Sequence, residues 1–295
     1  MADFKVELFL KFEAEVAESP AWHPEHQALY WIDMHKHSFN RLATGTGTNT
    51  EWKLPVMPGS FVFRENGALI SCRDGIYDFD FTSERFEKRI DPPYDSSIYR
   101  FNDGKCDRQG RLWVGTQPLE LSDLGTRKAA LYRYDGNRID QVMEIDMANG
   151  LAFTADGRTM YRAETARREI FVYDFDGETG TPSNARILAQ WSRGTGGAPD
   201  GATVDTEGGY WVALPAGETG GAIGRFTPDG TLDIRIDVPV PGPSMVAFGG
   251  PEMSTLYITT AQFPQLAGRP GSELSGSFFK VETGFRGVPE PVFRG

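Results

Sequence analysis

Four oxygen-bearing side chains recur at one position of a repeated sequence pattern, and together they could bind a hard metal ion. Each stands eleven or twelve residues before an aromatic residue in an apolar run; the four are Glu18, Asn102, Asn149 and Asp200. Two carboxylates and two amide carbonyls suit Ca²⁺, Mg²⁺ or Mn²⁺, with water in the remaining coordination positions. The pattern therefore predicts a divalent-metal site, provided that the fold brings these positions together.

A plainer interpretation exists for three of the four residues, because Asn and Asp before glycine are common in turns. Asn149 and Asp200 each directly precede a glycine, and Asn102 begins an Asn-Asp-Gly run. Glu18 differs, since Glu-Ser-Pro is not a turn signature of this kind. Turn chemistry explains each residue singly, but four polar residues in register favour the metal site.

The repeat also predicts the elements that position these side chains. Six related segments follow one another at a period of roughly 40 to 50 residues, which is the range of propeller blades. Their apolar runs are short, and turn pairs such as Asn66-Gly67 and Asp156-Gly157 separate the predicted strands. No segment has a sustained helical period with caps. We therefore expect an all-β protein, a six-bladed β-propeller with four antiparallel strands per blade.

Closure of the ring needs strands from both ends of the chain. Residues 4–18 and 276–293 supply strand material, so we expect the N-terminal strand to join the C-terminal strands in the last blade, which removes an open edge. No linker divides the chain, and residues 1–295 are predicted to form a single propeller domain. Equivalent positions on the innermost strands should share one height around the channel. Two blades have Ser60 and Ser244 there, small residues that would leave room for a substrate.

Composition narrows the partners of this site. The 295-residue chain has a net charge of −11, which argues against nucleic acid and against an anionic membrane surface as partners. Its two cysteines, Cys72 and Cys106, are expected to be reduced and to behave as small hydrophobic residues. The first twenty residues include acidic side chains and no long apolar run, so we expect neither a signal peptide there nor a bilayer-spanning stretch in the sequence. We expect a cytoplasmic monomer or small homo-oligomer that acts on a small molecule.

Several motifs give the chain a family resemblance. They occur in order over nearly its whole length and include Glu18-Ser-Pro-Ala-Trp, Arg100-Phe-Asn-Asp-Gly-Lys, Asn149-Gly-Leu-Ala-Phe and Pro199-Asp-Gly. With these motifs the chain resembles the SMP-30/gluconolactonase/LRE family, which includes regucalcin and bacterial sugar lactonases. The resemblance implies a six-bladed propeller with one catalytic divalent metal ion in the mouth of its channel.

The resemblance also implies which residues bind the metal ion. Glu18, Asn149 and Asp200 match the protein ligands of the family, while the ion itself could be calcium, zinc, manganese, magnesium or iron(II). Asp200 is expected to act as the general base, because members of the resembling family have been assigned that way. Asp103 is the competing candidate for the base, although it could equally cap its own turn.

Three further residues are implied as substrate contacts. Asn102 lies, by the resemblance, beside the metal ion and touches the substrate, and Arg100 orients the hydroxyl groups or the ring oxygen. Glu120 falls where some family members have a further substrate-binding glutamate. The chain departs from the family near this point, because Gln117 stands where methionine is common.

The combined pattern predicts a hydrolase. A divalent ion can polarise a ring carbonyl or lower the pKa of a bound water, and either effect stabilises the charge of a tetrahedral intermediate. We expect a metal-dependent lactonase that opens an aldonolactone such as glucono-, galactono-, xylono- or arabinono-lactone. The alternatives are a non-catalytic calcium-binding propeller and a propeller hydrolase of other esters, such as organophosphates. Arg100 and Asn102 favour catalysis, since metal storage needs no cationic substrate contact.

Other patterns carry less weight. Ser19 and Ser60 have no matched histidine base, which argues against a serine hydrolase. Glu164 could approach the channel or merely begin a loop, and it stays unassigned. Residues 120–128, 192–199 and 261–275 are predicted to be long loops, which in compact domains are often functional. Phe263, in the last of these loops, could line the entrance to the site or simply pack.

Overall fold

The structure, a computed structural model, describes residues 4–193, 196–217, 220–262 and 272–295. After β1 (Glu7–Leu10), the chain forms successive four-stranded antiparallel sheets. The first blade contains β2 (Ala17–His23), β3 (Ala28–Asp33), β4 (Ser38–Ala43) and β5 (Thr48–Lys53). The second contains β6 (Pro58–Arg64), β7 (Gly67–Cys72), β8 (Gly75–Asp80) and β9 (Phe86–Ile90). The third contains β10 (Tyr99–Cys106), β11 (Leu112–Pro118), β12 (Ala129–Tyr134) and β13 (Ile139–Ile145).

The second half of the chain repeats this arrangement. The fourth blade contains β14 (Asn149–Phe153), β15 (Thr159–Glu164), β16 (Glu169–Asp176) and β17 (Thr181–Gln190). The fifth contains β18 (Ala202–Val204), β19 (Tyr210–Gly217), β20 (Gly220–Phe226) and β21 (Leu232–Val238). The sixth contains β22 (Pro243–Gly249), β23 (Thr255–Thr260), β24 (Phe278–Glu282) and the N-terminal strand β1.

Closure of the ring takes place in the sixth blade. β1 pairs antiparallel with β24, with Glu7 opposite Lys280, so the N-terminal strand is the outermost strand of this blade. This pairing confirms the predicted six-bladed β-propeller and its closure by strands from both ends. In the described ranges the one helix is a short 3-10 turn, Leu121–Asp123, and none is long and apolar enough to cross a membrane. Phe263 and most of the predicted loop 261–275 lie outside the described residues.

The hydrophobic core lies between neighbouring blades. Six clusters of buried side chains each join two adjacent blades around the ring. Trp113 packs with Phe153 of the next blade, and Trp211 packs with Phe248 of the blade that follows it. The two cysteines are buried and unpaired, as expected. Because each blade supplies half of two clusters, the ring fixes the inner strands against one another.

A buried Asp-Trp pair anchors the inner strand in two blades. Trp113 Nε1 donates to Asp107 Oδ2 at 2.8 Å, and Trp211 Nε1 donates to Asp205 Oδ2 at 2.8 Å. The other oxygen of each aspartate accepts backbone N–H groups of the hairpin turn that follows. Each buried carboxylate is therefore satisfied, and it ties the inner strand to the second strand of its blade.

The innermost strand of each blade lines the channel, and it contacts the innermost strands of the neighbouring blades. These six inner strands are β2, β6, β10, β14, β18 and β22. Their first residues share one end of the channel, here called the mouth. The C-terminal segment covers the opposite end of the channel. Phe293 forms an isolated β-bridge with Arg64, and Glu290 forms an ion pair with the buried Lys105 at the far end of β10. A small cavity of about 20 Å³ inside the channel is lined in part by Lys105 and Glu290. Among the described residues, the C-terminal segment thus covers the far end of the channel and leaves the mouth as the approach to the axis.

Candidate active site

The four repeated polar residues lie at the mouth of the channel. Glu18 is the second residue of β2, Asn149 is the first residue of β14, and Asp200 precedes β18 by two residues. Asn102 stands in the first half of β10, and its Nδ2 donates to Asn149 Oδ1 at 2.9 Å. The charges of Glu18 and Asp200 act on each other and on Arg100. The structure therefore brings these predicted residues together.

Irregular strand pairing re-aims these side chains. The register of the inner strand against the second strand shifts in the blades that carry Glu18, Asn102 and Asn149, and it also shifts near the start of the inner strand in the second and sixth blades. Such bulges are frequent beside active sites, because they turn a side chain away from the regular alternation of a strand. The repeat in sequence is thus also a repeat in local backbone geometry.

The glycine after Asn149 explains why a turn-forming Asn-Gly pair occurs at a residue of the site. Gly150 has a φ of 60°, in the left-handed region. A Cβ atom there would lie 2.2 Å from Tyr210 Oη and 2.9 Å from Ala163 Cβ. Tyr210 Oη donates to the Gly150 carbonyl at 2.7 Å, which joins the fifth blade to the fourth. The Asn-Gly pair therefore forms the bulge and presents the polar side chain at the same time.

A chain of hydrogen bonds runs through the mouth. Arg100 Nη1 donates to Asn102 Oδ1 at 2.7 Å, and Asn102 Nδ2 donates to Asn149 Oδ1 at 2.9 Å. Asn149 Nδ2 donates to Thr165 Oγ1 at 2.7 Å, and Thr165 Oγ1 donates to the Pro199 carbonyl at 2.7 Å. The chain links the third, fourth and fifth blades, and it ends at the residue before Asp200.

The mouth concentrates negative charge. Burial raises the pKa of Glu18 well above its usual value, and the charges of Asp200 and Asp103 raise it further. Burial, followed by the charge of Asp103, also raises the pKa of Asp200, and Arg100 offsets part of that rise. The pKa of Arg100 is itself lowered to about 10 by burial. The carboxylates thus repel one another around one guanidinium that cannot neutralise them all.

Asp103 is more deeply buried than Asp200. Its side chain is 7% exposed, and its Oδ2 accepts the Leu151 N–H at 2.9 Å. Its Oδ1 is buried without a hydrogen-bond partner among the described residues. Burial raises the pKa of Asp103. Asp200 is half-buried and keeps solvent-accessible surface, so a water molecule reaches it more readily than it reaches Asp103.

The donor set at the mouth fits a hard divalent cation. Glu18 and Asp200 form no ion pair with any described residue, and a cation between them would relieve their repulsion. Within the described ranges, no three His, Cys, Asp or Glu side chains are grouped as a metal cluster. The candidate set therefore depends on the amide oxygen of Asn149 beside the two carboxylates. Carboxylate and amide oxygens are the ligands that such ions prefer.

Other predicted positions lie apart from this network. Glu120 is exposed on the loop after β11, next to the short 3-10 helix. Ser60 and Ser244 are fully buried, so neither side chain borders open space for a substrate. Ser244 Oγ instead donates to the Ala17 carbonyl at 2.6 Å, which ties the sixth blade to the first.

Two residues of the mouth had no role in the sequence prediction. Thr165 directly follows Glu164, to which the sequence assigns no role, and it accepts the hydrogen bond from Asn149. Gln117 stands opposite Arg100 in the pairing of β10 with β11, and its Oε1 is buried without a partner in the described part of the chain. A strand alignment would have placed Gln117 beside Arg100, but a hydroxyl at the end of β15 gives no comparable signal.

The fold and its mouth define a class, a six-bladed β-propeller with an oxygen-rich polar site on the axis. The family model of the SMP-30/gluconolactonase/LRE-like region matches residues 16–262. The chain belongs to this family, as its motifs predicted.

Relatives match over nearly the whole chain. A 6-deoxy-6-sulfogluconolactonase from Pseudomonas putida is 36% identical over 289 residues, 95% of each chain. A pentonolactonase from Haloferax volcanii is 32% identical over 285 residues, 93% of each chain. Among solved structures, a luciferin-regenerating enzyme is similar with a TM-score of 0.89 and 26% identity, covering 99% of this chain and 100% of that chain.

Proposed function

We propose that this protein is a metal-dependent lactonase that opens the ring of an aldonolactone. The observation that carries the proposal is the convergence of two unpaired carboxylates with an arginine and two hydrogen-bonded amides at one mouth of the channel. Two relatives named as sugar lactonases, matched over more than nine-tenths of the chain, support lactone hydrolysis in sugar metabolism.

Glu18, Asn149 and Asp200 would hold one divalent ion. Such an ion, when bound, supplies Lewis acidity for a carbonyl oxygen and lowers the pKa of a water molecule. Calcium, zinc, manganese, magnesium and iron(II) all remain candidates, because two carboxylates and an amide accept each of them with water completing the coordination. The chain's own contribution is to hold the three oxygens fixed before the ion arrives.

The remaining hydrogen-bonding capacity of Arg100 and Asn102 suits a polyhydroxylated substrate. Arg100 Nη1 is already engaged with Asn102 Oδ1 and the Phe101 carbonyl, which leaves Nε and Nη2 as donors. Both N–H groups of Asn102 are engaged, by the Ala148 carbonyl and by Asn149 Oδ1. Within the Asn102 side chain, only Oδ1 keeps a free lone pair, so Asn102 would accept a bond from a sugar hydroxyl while Arg100 donates to a ring or carbonyl oxygen.

Asp200 is the proposed general base. It is half-buried and accessible from the mouth, so the attacking water can reach its carboxylate. One carboxylate oxygen can face the ion while the other accepts the proton of the attacking water. Asp103 is less suited, because it is buried and already accepts the Leu151 N–H.

The substrate would be a sugar-acid lactone, with Glu120 as an additional contact from the rim. The two relatives are named for a 6-deoxy-6-sulfogluconolactone and for pentonolactones, so the sugar and its substituents differ between them. Glu120, exposed on the loop after β11, would hydrogen-bond a distal hydroxyl of the substrate.

A lactone panel tests the proposal. Chelator-stripped protein is assayed by acid release on glucono-, galactono-, xylono- and arabinono-lactone, with calcium, zinc, manganese, magnesium or iron(II) added singly. We expect at least one lactone to be opened well above its spontaneous rate, and only when an ion is present. Hydrolysis at the spontaneous rate under every condition overturns the proposal; in that case, tight calcium binding would instead favour a binding propeller.

A further inference from the structure

Thr165 joins the two blades that supply the candidate ligands Asn149 and Asp200. Its Oγ1 accepts from Asn149 Nδ2 at 2.7 Å and donates to the Pro199 carbonyl at 2.7 Å. Pro199 directly precedes Asp200, so a single hydroxyl lies between one ligand's side chain and the other ligand's backbone. No other side chain among the described residues bridges these two positions.

The direction of the hydrogen bonds fixes which way the Asn149 amide group is turned. Arg100 at one end of the chain can only donate, and the Pro199 carbonyl at the other end can only accept. A flipped Asn149 amide would set its NH₂ group against the NH₂ group of Asn102. It would also set its carbonyl against Thr165, whose one hydroxyl hydrogen is directed to Pro199. Only one orientation of Asn149 satisfies every group, and it keeps the amide oxygen at the mouth.

Glu164, the residue before Thr165, holds the backbone segment that leads to Asn149. Glu164 accepts the N–H groups of Asp146 and Met147 at 3.2 Å each, three and two residues before Asn149. Its carboxylate is in turn paired with Arg162. The end of β15 thus fixes both the peptide that leads to Asn149, through Glu164, and the Asn149 side chain, through Thr165.

We propose that Thr165 is a positioning residue for the metal site, one that orients the Asn149 amide oxygen and ties it to the segment of Asp200. The inference rests on the proposed function, since it concerns the same site. Partners that orient the ligands of a metal ion typically change its affinity by about 10- to 100-fold when they are removed. Loss of the Thr165 hydroxyl should therefore weaken divalent-ion binding by about that factor.

The test compares Thr165→Val with Thr165→Ser. Valine matches the shape of threonine but lacks the hydroxyl, whereas serine keeps it. Thr154→Val is the matched control, because the Thr154 hydroxyl bonds within a hairpin at the opposite end of the same blade. Calorimetric titration of each chelator-stripped protein with Mn²⁺ gives the affinity, and thermal unfolding of the metal-free form reports the fold.

We expect Thr165→Val to bind Mn²⁺ about 10- to 100-fold more weakly, with Thr165→Ser and Thr154→Val close to the unmodified chain. If Thr165→Val does not fold, Thr165→Ala, which also lacks the hydroxyl, replaces it. Equal affinity of the valine and unmodified proteins overturns the positioning role alone. An unmodified chain that binds no divalent ion and opens no lactone overturns the proposed function as well, so the two failures are distinguishable.

Discussion

Arg100 has only part of its guanidinium free for a ligand. Its Nη1 donates to the Phe101 carbonyl and to Asn102 Oδ1, which restrains the plane of the group, and no hydrogen bond of the described residues uses Nε or Nη2. A lysine at this position could not keep both internal bonds and still present a planar pair of donors. The side chain therefore contributes to the order of the site, in addition to its proposed contact with the substrate.

Arg100→Lys should lower kcat/KM on the preferred lactone by about 10- to 100-fold, the equivalent of one or two charge-assisted hydrogen bonds. Steady-state kinetics on metal-loaded protein measure the effect. Arg85→Lys, a change at an exposed arginine paired with Glu87, serves as the control and should leave kcat/KM unchanged. A lysine variant with full kcat/KM would remove Arg100 from the set of substrate contacts.

Sequence reasoning located the polar residues of the mouth because each blade repeats them at one spacing. Glu18, Asn149 and Asp200 could be found from residue type and register alone, and they do lie at one end of the channel. The hydroxyl of Thr165 and the burial of Asp103 could not, because they depend on contacts between blades. The space predicted beside Ser60 and Ser244 was wrong, since packing between blades buries both serines.

At the scale of elements, the bulges on the inner strands explain how a β-sheet edge presents a site. A regular strand would direct alternate side chains into the two neighbouring blade interfaces, where polar groups are costly. The register shifts after Glu18 and Asn149 release these residues from that alternation. The sequence predicted the strands and their turns, but Asn-Gly alone does not distinguish an ordinary turn from a bulge on an inner strand.

Gly150→Ala tests the bulge. The new methyl group would meet Tyr210 Oη and Ala163 in a left-handed backbone position. Gly125 is a matched control, because its φ of 80° is also positive and nothing lies within 4 Å of a Cβ there. We expect Gly150→Ala to lower the free energy of unfolding by about 1 to 3 kcal/mol more than Gly125→Ala, as overpacking does. Denaturant unfolding measures the free energy of unfolding of each variant. Equal losses in the two variants would contradict the close packing around Gly150.

At the scale of the whole molecule, the propeller stores unfavourable charge on its axis. The blade interfaces hold Glu18, Asp103 and Asp200 close together, and their raised pKa values mean that the folded, metal-free protein resists their ionisation. Each unit by which a folded pKa exceeds the unfolded one costs about 1.4 kcal/mol once the group is ionised. The covered far end of the channel leaves the mouth as the route by which a cation could relieve this cost.

The metal-free protein should therefore lose stability as the pH rises. Between the ordinary carboxyl pKa near 4 and the raised folded values, the folded state binds more protons than the unfolded state, so the free energy of unfolding falls with increasing pH. Glu18→Gln removes one of these charges. We expect the metal-free variant to unfold like the unmodified chain near pH 4 to 5 and at a higher temperature near pH 8. Parallel melting temperatures across this range would contradict the account of charge at the mouth.

The most direct test of the central claim is the rate of lactone opening by stripped protein before and after one divalent ion is restored. Unmodified protein, Glu18→Gln, Asp200→Asn and the control Glu65→Gln, an exposed carboxylate at the other end of the channel, are compared on the best lactone of the panel. The account predicts ion-dependent hydrolysis for the unmodified chain and the control, and only the spontaneous rate for the two ligand variants. Full hydrolysis by stripped protein, or by either ligand variant, would contradict it.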